Sequence, residues 1–173
     1  YSSAASDVYK RQAYAGGLDM MTLKGWKIVV DKDAIASEKF AAEELQTLLQ
    51  QATGTKLEIS ASAGKSKNIY IGYSPALQKI AKDFTINDSG KEGLKIKIMP
   101  ENIIIAGGRP RGTLYGVYEF AEKYLGIRFL AYDYTYVPEK KKELVIPCED
   151  HTYNPPFVYR SSYYKENIVH HEY

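Results

Sequence analysis

Hydrophobic positions along the chain recur with two different periods, and together they predict both helices and strands. Apolar residues spaced three and four apart over 40–52 predict a long helix, with Ser37 as its N-cap and Gly54 just past its end. The same spacing over 114–125, followed by Gly126, predicts a second long helix.

Strands are predicted from shorter apolar or alternating runs between and after these helices. Ser74 followed by Pro75 marks the start of a short helix, since proline suits the first helical turn. The order of elements predicts an α+β fold, a mixed β-sheet with helices packed mainly on one face. The predicted strands are 26–30, 57–59, 68–71, 94–98, 103–105, 127–130, 134–137 and 144–146.

The chain of 173 residues divides into one domain and two flanking parts. Residues 1–24 are expected to be an unstructured lead-in, because the first twelve lack any period and resemble translated adapter sequence. Residues 25–150 carry the predicted elements. Residues 151–173 read as a linker and the start of a following domain, so we expect a fragment cut at both ends.

Composition excludes several function classes. Lys+Arg number 23 against 21 Asp+Glu, which provides no field to attract nucleic acid. No apolar run approaches the roughly 20 residues of a membrane span, and the one cysteine, Cys148, excludes an internal disulfide or a multi-thiolate metal site. The sixteen tyrosines suit sugar stacking and protein interfaces, although half-buried packing also accounts for them.

A turn rich in glycine and arginine links the strand at 103–105 to the second long helix. Gly107 and Gly112 have the spacing of a phosphate-binding loop, but Thr113 stands where that loop requires lysine. Pro110 also removes one backbone N–H group. We therefore interpret the turn as structural, with its special residues at Gly107, Gly108, Pro110 and Gly112.

The same turn contains Arg109 and Arg111, which stand at a predicted helix start. A cation there opposes the helix dipole, so a carboxylate or aromatic partner is expected, unless both side chains are simply solvated. No acid lies nearby in sequence, which suggests contacts with a neighbouring domain.

No catalytic set is recognisable. The acids on the predicted helices are expected to be solvated, and all three histidines follow residue 150. We predict no metal site and no cofactor. The helix acids considered are Glu43, Glu44, Glu119 and Glu122.

Five segments, in this order, resemble the N-terminal domain of glycoside hydrolase family 67 α-glucuronidases. The same domain precedes domain-of-unknown-function 4838 in bacterial proteins and is similar to the small domain, domain 2, of β-hexosaminidases. The resemblance covers about residues 25–150, and the arginine-glycine turn is its most specific part. The segments are 37–45, 52–54, 69–74, 104–120 and 124–130.

The resemblance implies a non-catalytic accessory domain ahead of a (β/α)8 barrel that carries the catalytic acids. Residues 154–160 resemble the junction with that barrel. The parent would be an exported, periplasmic or extracellular, α-glucuronidase-like enzyme of polysaccharide or xylan degradation. The alternative is a stand-alone carbohydrate-binding module that uses tyrosine faces. Candidates for contact with substrate or barrel are Arg109, Arg111, Tyr115, Tyr159 and Arg160.

Overall fold

The computed structural model describes residues 9–86, 91–131 and 133–154, with backbone alone for 9–15. A single 3₁₀ turn, Met20–Thr22, follows the first strand. The strands are β1 (Tyr9–Asp19), β2 (Lys27–Val30), β3 (Glu58–Ser60), β4 (Asn68–Ile71), β5 (Leu94–Ile98), β6 (Asn102–Gly107), β7 (Arg128–Ala131), β8 (Tyr134–Tyr136) and β9 (Val145–Tyr153); the helices are α1 (Ala36–Thr53), α2 (Pro75–Ile80) and α3 (Gly112–Tyr124).

Seven strands form one mixed sheet in the order β1-β9-β5-β6-β4-β2-β3. The half from β3 to β6 is parallel, and β5, β9 and β1 continue it with antiparallel pairing. Strands β7 and β8 form a separate two-stranded ribbon. The mixed sheet predicted from the order of elements is confirmed.

The two faces of the sheet are covered unequally. Side chains alternate across a strand, and one set, including Ile69 and Ile105, packs against α1 and α3 in the large core. The other set, including Tyr70 and Ile104, packs against Leu77 of α2 in a smaller cluster. Helices therefore lie mainly on one face, as the sequence predicts.

Helix α1 ends as predicted but begins differently. Gly54 adopts the left-handed conformation at the C-cap, with φ of 80°, and its N–H donates to the carbonyl of Gln50. The predicted N-cap is wrong, because Ile35 occupies that position without a side-chain cap. Ser37 lies inside the first turn, and its hydroxyl donates to the carbonyl of Pro110 instead.

The first and last strands extend beyond the predicted domain limits of residues 25 and 150. Strand β1 begins at Tyr9, inside the region expected to lack structure, and pairs with β9. Strand β9 itself runs to Tyr153, through residues predicted to begin a linker. Backbone groups make these pairs, so the pairing needs no hydrophobic period in β1.

Close backbone packing joins the start of α3 to the sheet. A Cβ atom at Gly112 would lie 2.5 Å from the carbonyl oxygen of Gly93 and 2.8 Å from the carbonyl carbon of Gly107. These are backbone atoms, which cannot rotate away. A Cβ atom at Gly107 would likewise lie 2.3 Å from the carbonyl carbon of Gly112, so space requires glycine at both positions.

We expect Gly112→Ala to lower the free energy of unfolding by about 2 kcal/mol, because the added methyl group meets fixed backbone. Helix propensity alone predicts the opposite sign, since alanine is favoured over glycine by about 1 kcal/mol. Urea unfolding followed by circular dichroism measures the change. Gly64→Ala is the control: its nearest atom would be 3.4 Å away, so a change within about 0.5 kcal/mol is expected. Equal stability of the two variants would contradict the prediction.

Tyr118 links the two long helices and is itself covered by the ribbon. Its hydroxyl donates to Oε2 of Glu44 on α1 at 3.0 Å. The ring of Phe129 on β7 meets it edge-on, with centroids 5.1 Å apart. Burial, and then the negative charge of Glu44, raise the pKa of the Tyr118 phenol above its ordinary value.

Tyr118→Phe should cost about 1 kcal/mol of unfolding free energy at pH 7, because the hydrogen bond to Glu44 is lost. A raised pKa in the folded state means that this tyrosine's contribution is complete below about pH 10 and decreases above it. The gap between wild type and variant should therefore narrow at pH 11, by up to about 1 kcal/mol. Urea unfolding at both pH values tests this, with Tyr134→Phe on the exposed ribbon as control; a constant gap would contradict it.

Candidate functional site at the carboxyl ends of the parallel strands

The parallel strands β2, β4 and β6 end at one edge of the sheet, where two connections diverge. The chain leaves β2 for α1 on the large-core face, and it leaves β4 for α2 on the other face. In open α/β sheets, the crevice at such a divergence is the usual place for a ligand. A ligand site is therefore expected at this edge.

A buried carboxylate occupies that crevice. Glu38 lies in the first turn of α1, where the helix dipole favours a negative charge, and its side chain is only 2% exposed. It packs against Gly72, directly after β4: a Cβ atom there would lie 3.0 Å from Cδ of Glu38. Gly72 also has a φ of 74°, so both space and backbone angle favour glycine.

Arg109 covers this carboxylate from the turn after β6. Its Nε donates to Oε1 of Glu38 at 3.1 Å, and its Nη2 donates to Oε2 at 3.2 Å. This two-point geometry makes the pair directional as well as charged. The side chain of Arg109 stays 52% exposed, so the pair seals the crevice with one face toward solvent.

The partner expected for the arginine pair is thus found for Arg109 inside the domain, 71 residues away in sequence. No acid lies near Arg109 in sequence, but α1 brings Glu38 to the turn, so the pairing of this arginine does not require a neighbouring domain. Arg111, at the N-cap of α3, is exposed. Its side chain forms no hydrogen bond or ion pair with the residues that the structure describes, and only its backbone carbonyl accepts one, from Tyr115 N–H.

The amides of the turn are used internally. Gly107 N–H donates to the hydroxyl of Thr113, Gly108 N–H to the carbonyl of Gly93, and Gly112 N–H to the carbonyl of Gly108. A phosphate cradle needs such N–H groups pointing outward. Their engagement supports the rejection of a phosphate loop.

A second polar cluster lies between β9 and α3. Glu149, 2% exposed, accepts a 2.6 Å hydrogen bond from the hydroxyl of Tyr124 and lies 3.9 Å from Nζ of Lys123. His151, also 2% exposed, has Nδ1 3.1 Å from Nζ of Lys123 and Nε2 3.2 Å from Oε1 of Glu119. The cluster ties the last part of the sheet to the helix layer.

Sequence reasoning missed this cluster because it ended the strand at Ile146, before Pro147. The signal that remained was the alternation of Glu149 and His151, two residues apart on one strand. Two of the helix acids expected to be solvated also have partners: Glu44 binds Tyr118, and Glu119 contacts His151.

The other candidates are spread out. Tyr115 is half-buried against the large core, whereas Tyr159 and Arg160 lie outside the described residues. A groove of about 270 Å³ lies at the ends of α1 and α3, lined by Lys123, Lys141 and neighbouring residues and away from the Glu38–Arg109 pair. Among the residues with described positions, no three His, Cys, Asp or Glu side chains converge as metal ligands would, and no helix is both long and apolar enough to cross a membrane.

Arg109→Ala should lower the free energy of unfolding by about 2 kcal/mol, since it leaves the Glu38 carboxylate buried and unpaired. Arg111→Ala, two residues away in the same turn and exposed, is the matched control and should change stability by less than about 0.5 kcal/mol. Adding Glu38→Gln to Arg109→Ala should restore about 1 kcal/mol, because the unpaired charge is gone. Chemical unfolding at pH 7 gives all values; equal effects of the two arginine substitutions would refute the assignment.

Comparison of the fold with solved structures returns glycoside hydrolases. The N-acetyl-β-hexosaminidase of Streptomyces plicatus superposes with a TM-score of 0.58 at 16% identity, over 88% of this chain and 26% of that one. The GH20 β-N-acetylhexosaminidase of Streptomyces coelicolor A3(2) has the same values. The GH20 exo-β-N-acetylglucosaminidase of Vibrio harveyi has a TM-score of 0.51 at 18% identity, over 87% and 19%. The chain thus spans about a quarter or less of these proteins, and the likeness shows a shared fold.

At the level of sequence, no curated protein matches significantly. The family model described as "Glycosyl hydrolase family 67 N-terminus" matches residues 20–120, more than half of the chain. The match includes Glu38, Gly72 and the turn with Arg109, which are the residues that build and seal the crevice. This chain belongs to the glycosyl hydrolase family 67 N-terminal domain family.

Proposed function

We propose that this domain is a non-catalytic accessory domain of a carbohydrate-active enzyme, an α-glucuronidase-like glycoside hydrolase of polysaccharide or xylan degradation. Membership of the family supports the enzyme class. The observation that carries the non-catalytic role is that the two carboxylates buried in the described part of the chain, Glu38 and Glu149, are used in contacts within the domain.

Glycoside hydrolysis requires two carboxyl groups on either side of one sugar bond, about 5–10 Å apart. Glu38 lies at the ends of β2 and β4, whereas Glu149 lies on β9, which is three strand positions from β4. At about 4.8 Å per strand, this separation is about 14 Å or more. Each side chain is also almost fully buried, so neither can reach a sugar.

The crevice at the strand ends is likewise occupied by the Glu38–Arg109 pair. A ligand there would have to displace Arg109 from Glu38 and leave a buried charge unpaired, which is costly. The closed crevice favours a domain that packs against the rest of the enzyme, while the catalytic residues lie in another part of the polypeptide.

Within this proposal, the candidate interface residues differ in how much of each side chain is available to a neighbouring domain. Arg111 and Tyr115 lie at the start of α3, with exposed and half-exposed side chains suited to a neighbouring catalytic barrel of the same polypeptide. Arg109 can contribute only its outer edge, since two of its donors bind Glu38. Tyr159 and Arg160 would stand at the junction with that barrel, and export to the periplasm or the outside of the cell accompanies the polysaccharide role.

The test compares the 173-residue chain with the full-length gene product. We expect hydrolysis of glucuronic-acid-substituted xylan by the full-length protein and none by the chain alone. Arg111→Ala should lower activity or stability of the full-length protein, yet leave the melting temperature of the chain within a few degrees. Glycosidase activity in the isolated chain would refute the non-catalytic role.

A stand-alone carbohydrate-binding module is the second candidate, favoured by the exposed rings of Tyr134 and Tyr136, at 56% and 47%. Trp26 is buried, so its fluorescence would report binding at these rings poorly, and calorimetry is the better measurement. Heat on titration with xylan or glucuronic-acid oligosaccharides, lost in Tyr134→Ala/Tyr136→Ala, would support this candidate. No binding at millimolar ligand would count against it.

A further inference from the structure

We propose that the outward face of the β7–β8 ribbon is the docking surface for the polypeptide that follows this domain in the same enzyme. This inference rests on the proposed accessory role and adds to it a place of contact. The face is formed by Leu130, Tyr134 and Tyr136, and is called the ribbon face below.

The two sides of the ribbon have different environments. Phe129 points inward and packs on Tyr118 of α3. Leu130, the next residue, therefore points outward. Arg128 starts on the same side, but its Nη1 reaches α3 and donates to the carbonyl of Glu122 at 3.0 Å, so its charged end does not join the ribbon face.

The pairing places Tyr136 opposite Arg128. Tyr134 stands two residues before Tyr136 on β8, so both tyrosines lie on the same side as Leu130. A β-bulge between Phe129 and Ala131 shifts the register there and brings Ala131 opposite Tyr134.

The outward side is unusually apolar for a solvated surface. Leu130 is 62% exposed, and the two tyrosines are 56% and 47% exposed. A two-stranded ribbon with strands of four and three residues is at best marginally stable in water by itself. Cover on the outer side would add the burial that such a short ribbon lacks.

The size of the surface favours a tethered partner. Half-exposed aromatic side chains of roughly 200 Å² each, with the leucine, offer about 300 Å². A stable complex between separate molecules needs about 800 Å² from each side. A tethered domain is present at an effective concentration in the millimolar range, so a small contact can stay occupied.

The length comparison indicates what is tethered. Structures that share this fold are about four or more times longer than the part that the chain matches. The family is likewise defined as the N-terminal part of a glycosyl hydrolase. The ribbon face is thus expected against an apolar patch of the following part of the enzyme.

Hydrogen exchange of the ribbon amides tests the inference, measured in the 173-residue chain and in the full-length gene product. We expect exchange in β7 and β8 to slow about tenfold or more in the full-length protein. Leu130→Ser/Tyr136→Ser should abolish this slowing. Ile80→Ser is the matched control, because Ile80 is also 47% exposed but lies at the end of α2 on the other face of the sheet; it should leave the slowing unchanged.

Three results of the exchange and association measurements would overturn the inference. They are equal exchange in both proteins, slowing that persists in the Leu130→Ser/Tyr136→Ser protein, and self-association of the chain that protects the ribbon as a dimer contact. Glycan binding by the chain that depends on Tyr134 and Tyr136 would overturn it in favour of a sugar surface. If the proposed accessory role is wrong, the chain alone has glycosidase activity. That result comes from an activity assay and is independent of the exchange measurements.

Discussion

The structure depends most on the contact between Glu38 and Arg109. A carboxylate that is 2% exposed must be paired, and Arg109 satisfies both of its oxygens from a turn 71 residues away. The pair fixes the start of α1 to the end of β6, beside Gly72 at the end of β4. Because these segments meet where a ligand would otherwise bind, one interaction both closes the crevice and sets the helix on the sheet.

The cluster of Glu149 and His151 likewise fixes a helix to the sheet, at the other end of the helix layer. There, buried groups of β9 contact Lys123 and Tyr124 of α3. Polar groups buried in this way stabilise only when they are all satisfied, and they then favour one arrangement of the elements over others. The domain therefore places its buried charges in positions that orient helices, which agrees with the proposed accessory role.

Local patterns were sufficient where packing and sequence agree. The spacing of apolar residues predicted α1 and α3, and Gly54 ended α1 as its left-handed conformation requires. The turn glycines were also interpretable, because only glycine tolerates such close backbone contact. Strand β1 escaped prediction, since its pairing with β9 uses backbone groups and leaves little trace in side-chain pattern.

By itself, the sequence determined the class of fold, the family and the two long helices, because these depend on short-range spacing and on residues with special backbone behaviour. Only the tertiary structure decided the partner of Arg109, the burial of His151 and the exposure of the β7–β8 ribbon. Arg109 is 71 residues from Glu38, and His151 is 32 residues from Glu119. The exposure of the ribbon depends on which surfaces the other elements leave uncovered. Long-range contacts follow from how the elements pack, and no local sequence pattern determines which charged groups are brought together when the chain folds.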